Sequence, residues 1–553
     1  MEERIWHQHY DYNVLTEYRH PRIPAHEILE IPANVYPDKA AVIYFGNAIT
    51  YYEMKQKVIA MSTVLQELGV KKGDRVGIHL PNMPEYIVMF YASLSLGAIV
   101  VNFNPLYTVD ELTALIKLTR IHTFLTFDMG VATINAVRKN VDIPNVIAAS
   151  VFDSMGGDKS TPQSMQLDDT WLHFDTLLSN CKNPKRPRVK IEPEDRALIQ
   201  FTGGTTGIPK GAVLTHANIV STAFSAVHWG AATTQYTPHS ERTTMCVLPF
   251  FHVYGNVICL NWSMINCSTM YLVPKFELDP FMDLLASIEK LSFFPAVPTM
   301  INAIINHPRA KELQLDKKID MLNSGGAPIP VELIEQAKDL GLKCSEGWGM
   351  SETTSLGVGN PAIGRKKVGS IGIPFPGIDI KLVSVDDGIT EVPLGEPGEM
   401  LIKGPFVMKE YWENPDKTAE ELKDGWLYTG DVAKMDEDGY LYIVDRKKDM
   451  IIAGGYNIYP RDIDEILFQH PKIEEAVAVG IKDDYRGETV KAYVVLRKGQ
   501  TMTEKEVIDF CKEKLAVYKV PKVVEFRNEL PKSAVGKILR KILRAEEEAK
   551  QNS

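Results

Sequence analysis

The stretch of this chain with the clearest chemical signature runs from Phe201 to Gly211 and reads Phe-Thr-Gly-Gly-Thr-Thr-Gly-Ile-Pro-Lys-Gly. Glycine has no Cβ, so closely spaced glycines let backbone N–H groups converge on an anion. Threonine hydroxyls add hydrogen-bond donors, and a lysine adds positive charge. The stretch therefore predicts a phosphate-binding loop. Its candidate phosphate ligands are Thr202, Gly203, Gly204, Thr205, Thr206, Gly207 and Lys210.

The elements that flank this loop are expected to hold it at the edge of a sheet. The residue pattern predicts a buried strand over residues 196–201 and a helix from Thr215 onward. The loop is therefore expected at a strand-to-helix corner, where open α/β sheets bind nucleotides. It differs from a Walker A loop, because Lys210 is followed by glycine and does not open the helix. Taken alone, such a string is equally compatible with an ordinary surface loop.

Length and composition exclude several classes of protein. A chain of 553 residues is too long for one hydrophobic core and is expected to form two or more domains. The net charge of -10 disfavours a nucleic-acid partner, because neutralising phosphates requires a basic face. The six cysteines include no C-x-x-C pair, which fits a reducing compartment and argues against a structural zinc site. A cytoplasmic location is the resulting expectation.

One apolar stretch is long enough to be either a membrane-spanning helix or part of the hydrophobic core. Residues 86–109 carry no charge, but serine, glycine, asparagine and proline interrupt the stretch. The pattern favours a buried helix to about Leu96 followed by a buried strand over residues 98–101. No transmembrane helix and no secretory signal are therefore expected. Peripheral membrane contact and the oligomeric state stay open at this stage.

Further short motifs follow the loop along the chain. In order they read Phe251-His252, Ser324-Gly-Gly-Ala-Pro328, Glu346-Gly-Trp-Gly-Met-Ser-Glu352, Tyr428-Thr-Gly-Asp431, Asp445-Arg-Lys-Lys-Asp-Met-Ile451, Ala453-Gly-Gly-Tyr456 and Pro531-Lys-Ser-Ala-Val-Gly-Lys537. Each has an ordinary structural reading, since a lone histidine is often structural and a charged cluster is often a solvated turn. Their combination and order carry the information.

Together these motifs resemble those of the adenylate-forming superfamily, which includes acyl-CoA synthetases, luciferases and peptide-synthetase adenylation domains. The resemblance covers nearly the whole chain. Within the superfamily, Thr202-Gly203-Gly204 looks most like the bacterial fatty-acid:CoA ligases, many of which carry serine at position 203.

The resemblance implies an α/β fold with a large N-terminal domain of parallel α/β subdomains and a small β-barrel. A smaller, mobile α+β domain is expected at the C-terminus. The implied boundaries are residues 1–445 for the first domain, 446–450 for a hinge and 451–553 for the second domain. The sequence pattern agrees, because helices and strands alternate over residues 37–135, while strands and turns dominate residues 379–445.

The resemblance also implies a role for each motif. Mg²⁺ would lie on Glu352 and Thr202, the β- and γ-phosphates of ATP on Lys210, and the ribose on Asp431 and Arg446. Lys537 would complete the adenylation site, His252 would lie where the acyl and CoA channels meet, and Lys448 would be the hinge. The remaining implied ATP and CoA contacts are Gly325, Gly326, Ala327, Glu346, Gly347, Trp348, Gly349, Met350, Ser351, Gly454 and Gly455.

The implied reaction is an ATP-dependent ligation of a carboxylic acid to CoA through acyl-AMP. Phe251-His252 stands where amino-acid-activating relatives carry Phe-Asp, so no counter-ion for an α-ammonium is expected and an apolar acid is favoured. A medium- to long-chain fatty acid is the leading expectation. Val253-Tyr254 lacks the gating tryptophan of some long-chain enzymes, which leaves aryl and alicyclic acids open.

Two rival readings change the second step or remove the chemistry. The acyl group could be delivered to another acceptor, such as a carrier protein, or enter a luciferase-like oxidation. The second rival is a nucleotide-binding regulator without catalytic activity, and the presence of both Lys537 and Glu352 argues against it.

Overall fold

The computed structural model describes residues 4–151, 167–202, 209–453, 456–483, 486–533 and 536–551. The predicted loop residues Gly203, Gly204, Thr205, Thr206 and Gly207, and the pair Gly454 and Gly455, lie outside these ranges.

The helices fall into a long N-terminal series and a short C-terminal one. In chain order they are α1 (Glu27–Val35), α2 (Tyr51–Glu67), α3 (Pro84–Ser95), α4 (Val109–Thr119), α5 (Val131–Val137), α6 (Phe174–Asn180), α7 (His216–Thr234), α8 (Trp262–Ile265), α9 (Leu278–Ser287), α10 (Pro298–Ile305), α11 (Leu315–Lys318), α12 (Val331–Asp339), α13 (Pro415–Glu421), α14 (Pro460–Phe468), α15 (Glu504–Lys514) and α16 (Arg540–Gln551).

The strands of the N-terminal part, in chain order, are β1 (Ala40–Tyr44), β2 (Asn47–Thr50), β3 (Arg75–Ile78), β4 (Ile99–Asn102), β5 (Thr123–Phe127), β6 (Asn145–Ala149), β7 (Trp171–His173), β8 (Arg196–Phe201), β9 (Gly211–Thr215), β10 (Thr243–Cys246), β11 (Thr269–Leu272), β12 (Phe294–Ala296), β13 (Leu322–Ser324), β14 (Cys344–Trp348), β15 (Val358–Gly359) and β16 (Ile373–Pro374). Those that follow are β17 (Asp379–Val383), β18 (Gly398–Lys403), β19 (Glu410–Tyr411), β20 (Leu422–Lys423), β21 (Trp426–Met435), β22 (Leu441–Arg446), β23 (Ile451–Ala453), β24 (Tyr456–Ile458), β25 (Ile473–Asp483), β26 (Gly487–Leu496) and β27 (Val523–Arg527).

The N-terminal part is built on three sheets with parallel strands at their centres. The largest has the order β19-β9-β8-β4-β3-β5-β6-β7, and its strands from β8 to β7 are all parallel. The second has the order β10-β11-β1-β2, and the third runs from β12 to β16 in chain order. Helices cover the faces of such sheets, so strands such as β4 are buried along their whole length. The predicted α/β class with parallel subdomains is confirmed.

The surroundings of the phosphate-binding loop differ from the prediction. The loop joins β8 to the antiparallel strand β9, with Phe201 paired to Gly211, and α7 begins only at His216. The expected strand-to-helix corner is therefore wrong, and the loop is the tip of a β-hairpin. The reason is that residues 211–215 are apolar and fully buried against β8, a pairing that local periodicity does not reveal. The backbone N–H of Thr202 donates to the carbonyl of Lys210 at 2.9 Å and closes the hairpin.

Strands β17, β18, β20, β21 and β22 form a curled antiparallel sheet after the parallel sheets. This sheet is a half-barrel and stands where the small β-barrel was expected. Asp431 lies within the continuous strand β21. Gly430 beside it has φ +69°, and the pairing of β21 with its neighbours shifts register near this point. This bulge turns the side chain of Asp431 out of the regular alternation.

The C-terminal part forms a separate small sheet of β23 to β27 with α14, α15 and α16 packed on it. Its apolar residues make clusters of their own, distinct from the large N-terminal core. The predicted α+β character of this part is confirmed. The domain boundaries at residues 445 and 451 stay a prediction.

A chain of buried polar side chains fixes the turn that carries the Phe251-His252 motif. The amide of Gln200 at the end of β8 donates to the carbonyl of Phe251 at 2.8 Å. Its oxygen accepts from Asn102 at 3.2 Å, and Asn102 lies 2.7 Å from the hydroxyl of Tyr86. Asn256, in a π-helical segment over residues 255–261, donates to that hydroxyl at 3.1 Å. These bonds satisfy polar groups inside the core and tie the turn to the central sheet.

Within the part of the chain that the structure describes, no helix is long and apolar enough to cross a membrane. The uncharged stretch of residues 86–109 forms α3 and β4 inside the core, as expected from its interruptions.

The first testable prediction concerns Gly255, which opens the π-helical segment. A Cβ at this position would lie 2.1 Å from the backbone carbonyl oxygen of Pro249, a distance that backbone movement alone can relieve. Gly255→Ala is therefore expected to lower the free energy of unfolding by about 1–3 kcal/mol, as other overpacking substitutions do. Urea unfolding followed by circular dichroism measures this change.

Gly230→Ala is the matched control, because Gly230 lies in α7 and a Cβ there meets nothing within 4 Å. This control should raise the free energy of unfolding slightly, since alanine is the better helix former. Equal stability of the Gly255→Ala variant and the unchanged protein would contradict the tight packing of this turn.

Candidate active site

A cleft of about 1560 Å³ lies where the N-terminal sheets, the half-barrel and the C-terminal part meet. Its walls include the carboxyl ends of β4, β8, β13 and β14, which is the edge at which open α/β sheets bind ligands. The C-terminal part reaches the cleft through the loop that ends in Lys537. The cleft therefore gathers side chains that lie more than 400 residues apart in the sequence.

Three cations, at positions 446, 448 and 537, line this cleft. The positive charge of Arg446, assisted by desolvation, lowers the pKa of Lys537 to about 7. Desolvation, followed by the charge of Arg446, also lowers the pKa of the Lys448 ammonium. The carboxylate of Asp431 has the opposite effect and raises the pKa of Arg446. The surroundings of Lys537 and Lys448 are therefore locally positive, although many acidic residues also line the cleft, and an anion beside these two lysines would relieve the repulsion.

Asp431 is the buried carboxylate next to these cations. Its Oδ1 lies 3.1 Å from Nε of Arg446, and its Oδ2 accepts a hydrogen bond of 2.8 Å from the indole N–H of Trp348. Each carboxylate oxygen can accept more than one hydrogen bond, so room for a further donor remains on both. Arg446 and Trp348 therefore fix the orientation of Asp431.

Glu352 lies in a single turn of 3₁₀ helix over residues 351–353. Its carbonyl accepts from the backbone N–H of Met408 at 2.7 Å, and its carboxylate Oε1 lies 2.8 Å from the hydroxyl of Tyr411. Burial is the main reason that the pKa of Glu352 is raised. A buried carboxylate with one hydrogen-bond partner is well suited to a hard cation that also binds phosphate oxygens.

The residues fit a Mg²⁺ ion held by one carboxylate, Thr202 and substrate phosphates. The structure shows, within the ranges it describes, no group of three or more histidine, cysteine or acidic side chains that could hold a metal by themselves. Magnesium does not need such a cage, because it commonly binds one or two carboxylates and takes its other ligands from water and phosphate.

Lys210 closes the hairpin beside Glu352. Its Nζ lies 2.7 Å from the carboxylate Oε1 of Glu421 and 5.0 Å from the ring centre of Tyr411. Tyr411 and Glu421 are functional candidates that the sequence did not reveal. Tyr411 lies in the short strand β19 and Glu421 ends α13, and the two form no recognisable chemical motif, so only the tertiary structure reveals these partners.

His252 also lines the cleft. Desolvation, assisted by the charge of Lys537, lowers the pKa of His252 to about 4, so the ring is neutral near pH 7. Its Nδ1 accepts from the backbone N–H of Tyr254 at 3.2 Å, which leaves the ring proton on Nε2. The hydroxyl of Tyr254 lies 2.7 Å from Oδ1 of Asn323.

The glycine corner after β13 lies against the same region. A Cβ on Gly325 would approach the ring of Tyr254 to 2.8 Å, and Gly326 has φ +76°. Glycine at each of these two positions meets its demand at low cost, because it has no Cβ. Glu346 accepts from the backbone N–H of Ile329 at 3.3 Å, and burial raises the pKa of its carboxyl group to about 7.

The structure brings the predicted site residues together wherever it describes them. The residues that line this one cleft are Thr202, Lys210, His252, Gly325, Gly326, Ala327, Glu346, Gly347, Trp348, Gly349, Met350, Ser351, Glu352, Asp431, Arg446, Lys448 and Lys537. The individual roles assigned to them stay predictions. The roles assigned to Gly203, Gly204, Thr205, Thr206, Gly207, Gly454 and Gly455 fall outside the described residues.

Two family models match the chain. The model of the AMP-binding enzyme family matches residues 29–412, and the model of the C-terminal domain of AMP-binding enzymes matches residues 462–537. The chain is 39% identical to a long-chain-fatty-acid–CoA ligase of Bacillus subtilis strain 168, over 99% of this chain and 98% of the relative. It is 35% identical to a long-chain-fatty-acid–CoA ligase of Escherichia coli O6:H1, over 99% of both chains.

Solved structures share the fold over nearly the whole chain. The anthranilate CoA ligase AuaEII in complex with anthranoyl-AMP has a TM-score of 0.85 and 26% identity, covering 96% of this chain and 98% of that one. O-succinylbenzoate CoA synthetase (MenE) of Bacillus subtilis, in complex with ATP and magnesium ion, has a TM-score of 0.77 and 28% identity, covering 94% of this chain and 99% of that one.

The chain belongs to the AMP-binding enzyme family, within the adenylate-forming superfamily, and is an adenylate-forming acyl-CoA ligase. The resemblance inferred from the sequence motifs is confirmed.

The second testable prediction concerns the pH dependence of the adenylation step. With a pKa of about 7, the ammonium of Lys537 in the free enzyme loses its proton as the pH rises through neutrality. If the charged form is needed beside the α-phosphate, kcat/KM for ATP should fall about tenfold per pH unit above that point. ATP–pyrophosphate exchange between about pH 5.5 and about pH 9 measures this profile.

Three variants identify the titrating group. Lys537→Arg carries a charge that does not titrate in this range, so the fall at high pH should disappear even if the rate is lower. Glu346 and Asp464 also line the cleft with a pKa of about 7, so Glu346→Gln and Asp464→Asn should each keep the fall. Persistence of the fall in Lys537→Arg, or its loss in Glu346→Gln or Asp464→Asn, would contradict the assignment to Lys537.

Proposed function

We propose that this enzyme activates a medium- to long-chain fatty acid with ATP and transfers the acyl group to CoA. The observation that carries the substrate class is the full-length similarity to long-chain-fatty-acid–CoA ligases at 35% and 39% identity. The lining of the cleft supports it, because apolar and aromatic side chains are present there beside the charged groups.

The part of the cleft around His252 suits an apolar acid. It is lined by Phe251, Val253, Tyr254 and Pro298 together with the glycine corner. His252 is neutral near pH 7, and burial raises the pKa of Glu346 to about 7. Burying a charged substituent among the apolar side chains of this region would be costly.

In the first half-reaction, a carboxylate oxygen of the acid attacks the α-phosphorus of ATP and pyrophosphate leaves. Lys537 would touch the carboxylate and the α-phosphate and offset the charge that develops between them. Lys210 would pair with the β- and γ-phosphates, and Asp431 would accept hydrogen bonds from the ribose hydroxyls. Glu352 and Thr202 would hold Mg²⁺, which when bound supplies positive charge for the departing pyrophosphate.

In the second half-reaction, the thiolate of CoA attacks the acyl carbon and AMP leaves with the bonding electrons. The thiol must approach a carbon that lies next to Lys537 in the orientation of the structure. Gly454 and Gly455 are predicted to contact ATP or CoA, and they belong to the same C-terminal part as Lys537. One orientation of that part can hardly bring both Lys537 and these glycines to the acyl carbon. We infer a rotation of this part about residues 446–450 between the two steps.

The test of the proposed function separates the two half-reactions. ATP–pyrophosphate exchange is measured with hexanoate, dodecanoate, hexadecanoate, benzoate, cyclohexanecarboxylate and a hydroxycinnamate, and CoA is then added to measure thioester. Exchange and thioester formation should be fastest with dodecanoate or hexadecanoate. A preference for the ring acids would instead support an aryl- or alicyclic-acid ligase, to which the fold of the anthranilate CoA ligase lends weight.

The other outcomes contradict the proposal in different ways. Exchange without thioester would indicate delivery to another acceptor, such as a carrier protein. ATP binding without exchange for any acid would indicate a regulator that has lost its chemistry.

The third testable prediction concerns Lys448 in the proposed hinge. Proline fixes φ near −65° and restricts the residue before it, so Lys448→Pro should hold the C-terminal part in one orientation. The backbone N–H of Lys448 donates no hydrogen bond to any other residue within the described ranges, so the substitution breaks none there. One half-reaction should stay near its normal rate, and the other should fall by two orders of magnitude or more, about 3 kcal/mol in activation free energy.

Adenylation is the half-reaction expected to survive, because the structure holds Lys537 in the cleft. Arg544 of α16 donates to the carbonyls of Lys448 and Asp449 at 2.9 and 2.8 Å and so braces the hinge in this orientation. Lys448→Ala is the control, and it should leave the ratio of the two half-reactions unchanged. Wild-type rates of both half-reactions in Lys448→Pro would place the hinge elsewhere.

A further inference from the structure

Glu421, the last residue of α13, lies at the phosphate end of the cleft and is shared between two lysines. Its Oε1 is 2.7 Å from Nζ of Lys210 and 3.1 Å from Nζ of Lys417. Hydrogen bonds from Lys210, Tyr411 and Lys417 outweigh the effect of burial and lower the pKa of the Glu421 carboxyl group. Glu421 is therefore ionised at neutral pH.

The contacts of Glu421 connect it to the predicted Mg²⁺ ligand. Its Oε2 lies 2.5 Å from the hydroxyl of the buried Tyr411, and Oε1 of Glu352 lies 2.8 Å from the same hydroxyl. A phenol has one proton and cannot donate to both carboxylates at once. The ammonium of Lys210 lies over the ring of Tyr411. Lys210 is thus held by a carboxylate and an aromatic face at the place where it would have to meet phosphate.

We propose that Glu421 is a positioning residue that holds Lys210 in the nucleotide-free enzyme and gives it up to the polyphosphate of ATP in each turnover. This inference rests on the proposed function, in which Lys210 pairs with the β- and γ-phosphates. Glu421 takes the place of a phosphate oxygen at Nζ of Lys210. It also presents a negative charge toward the incoming polyphosphate, because it lies a few ångströms from that position.

Two consequences follow from this exchange of partners. ATP and pyrophosphate both bind less tightly than Lys210 alone would allow, because the ion pair with Glu421 must first open. Pyrophosphate also leaves faster, because the carboxylate recaptures the ammonium. The binding of the carboxylic acid and of CoA is unaffected, since neither involves Lys210.

Calorimetric titration of the full chain with magnesium–ATP and with magnesium pyrophosphate tests the inference. Glu421→Gln keeps the shape of the side chain and removes its charge, so both ligands should bind about three- to tenfold tighter than to the unchanged enzyme. The difference should shrink between about 0.05 M and about 0.5 M sodium chloride, because salt screens a partly exposed charge. The values of KM for the acid and for CoA should not change.

Glu420→Gln is the matched control. Glu420 precedes Glu421 in the same helix and pairs with Lys417 at 2.7 Å, but it makes no ion pair with Lys210 in the described part of the chain. Its substitution should leave the binding of both ligands unchanged. Glu421→Asp, which keeps the charge on a shorter side chain, should bind ATP and pyrophosphate more weakly than Glu421→Gln does.

A double-mutant cycle separates a role through Lys210 from a merely structural role. In the Lys210→Met background, Glu421→Gln should strengthen pyrophosphate binding much less, because no ammonium remains to be exchanged and only the direct repulsion by Glu421 is removed. Equal or weaker binding of both ligands by Glu421→Gln, or the same gain in both backgrounds, would overturn the inference. Failure of the unchanged enzyme to bind either ligand would instead overturn the proposed function.

Discussion

Repulsion among the cations gathered in the cleft is the interaction on which the rest of the site depends. Arg446 lowers the pKa of Lys537 and of Lys448, and Asp431 offsets only part of this charge. These cations belong to residues 446–448 and to the C-terminal part, while most of the cleft wall belongs to the N-terminal part. An anion beside these cations would therefore stabilise the orientation of the C-terminal part that the structure shows.

Much of the fold could be predicted from the sequence because hydrophobic periodicity is a local property. Strand β8 begins and ends at its predicted residues, and helix α3 ends one residue before its predicted end, because turn residues bound both apolar runs. Strand β9 could not be predicted in this way. It is followed directly by α7 with no turn residue between them, so its strand character depends on pairing with β8.

The residues of the candidate site also fall into two groups, those that a local motif identifies and those that only tertiary contacts identify. Residues such as Lys210 and Glu352 stand in motifs whose local spacing is unusual, and the sequence alone was enough to single them out. Tyr411, Glu421 and Gln200 carry no local signal, because each acts through a partner more than 50 residues away in sequence. Their chemistry is that of common surface and core residues, and only tertiary contacts distinguish them. Sequence motifs therefore identified residues expected to contact ligands better than residues that hold those contacts in place.

The two ends of the cleft are fixed by different physical means, and this difference bears on how the enzyme can change its substrate. The turn at His252 is held by neutral hydrogen bonds from Gln200 and its buried partners, which have little dependence on salt or pH. The phosphate end is held by ion pairs among partly exposed groups, which exchange partners readily and weaken in salt. Substitutions around Tyr254 and Gly325 would therefore alter the cleft beside His252 and leave the ion pairs of Lys210 and Asp431 intact. A superfamily built in this way can vary its acids while keeping one adenylation chemistry.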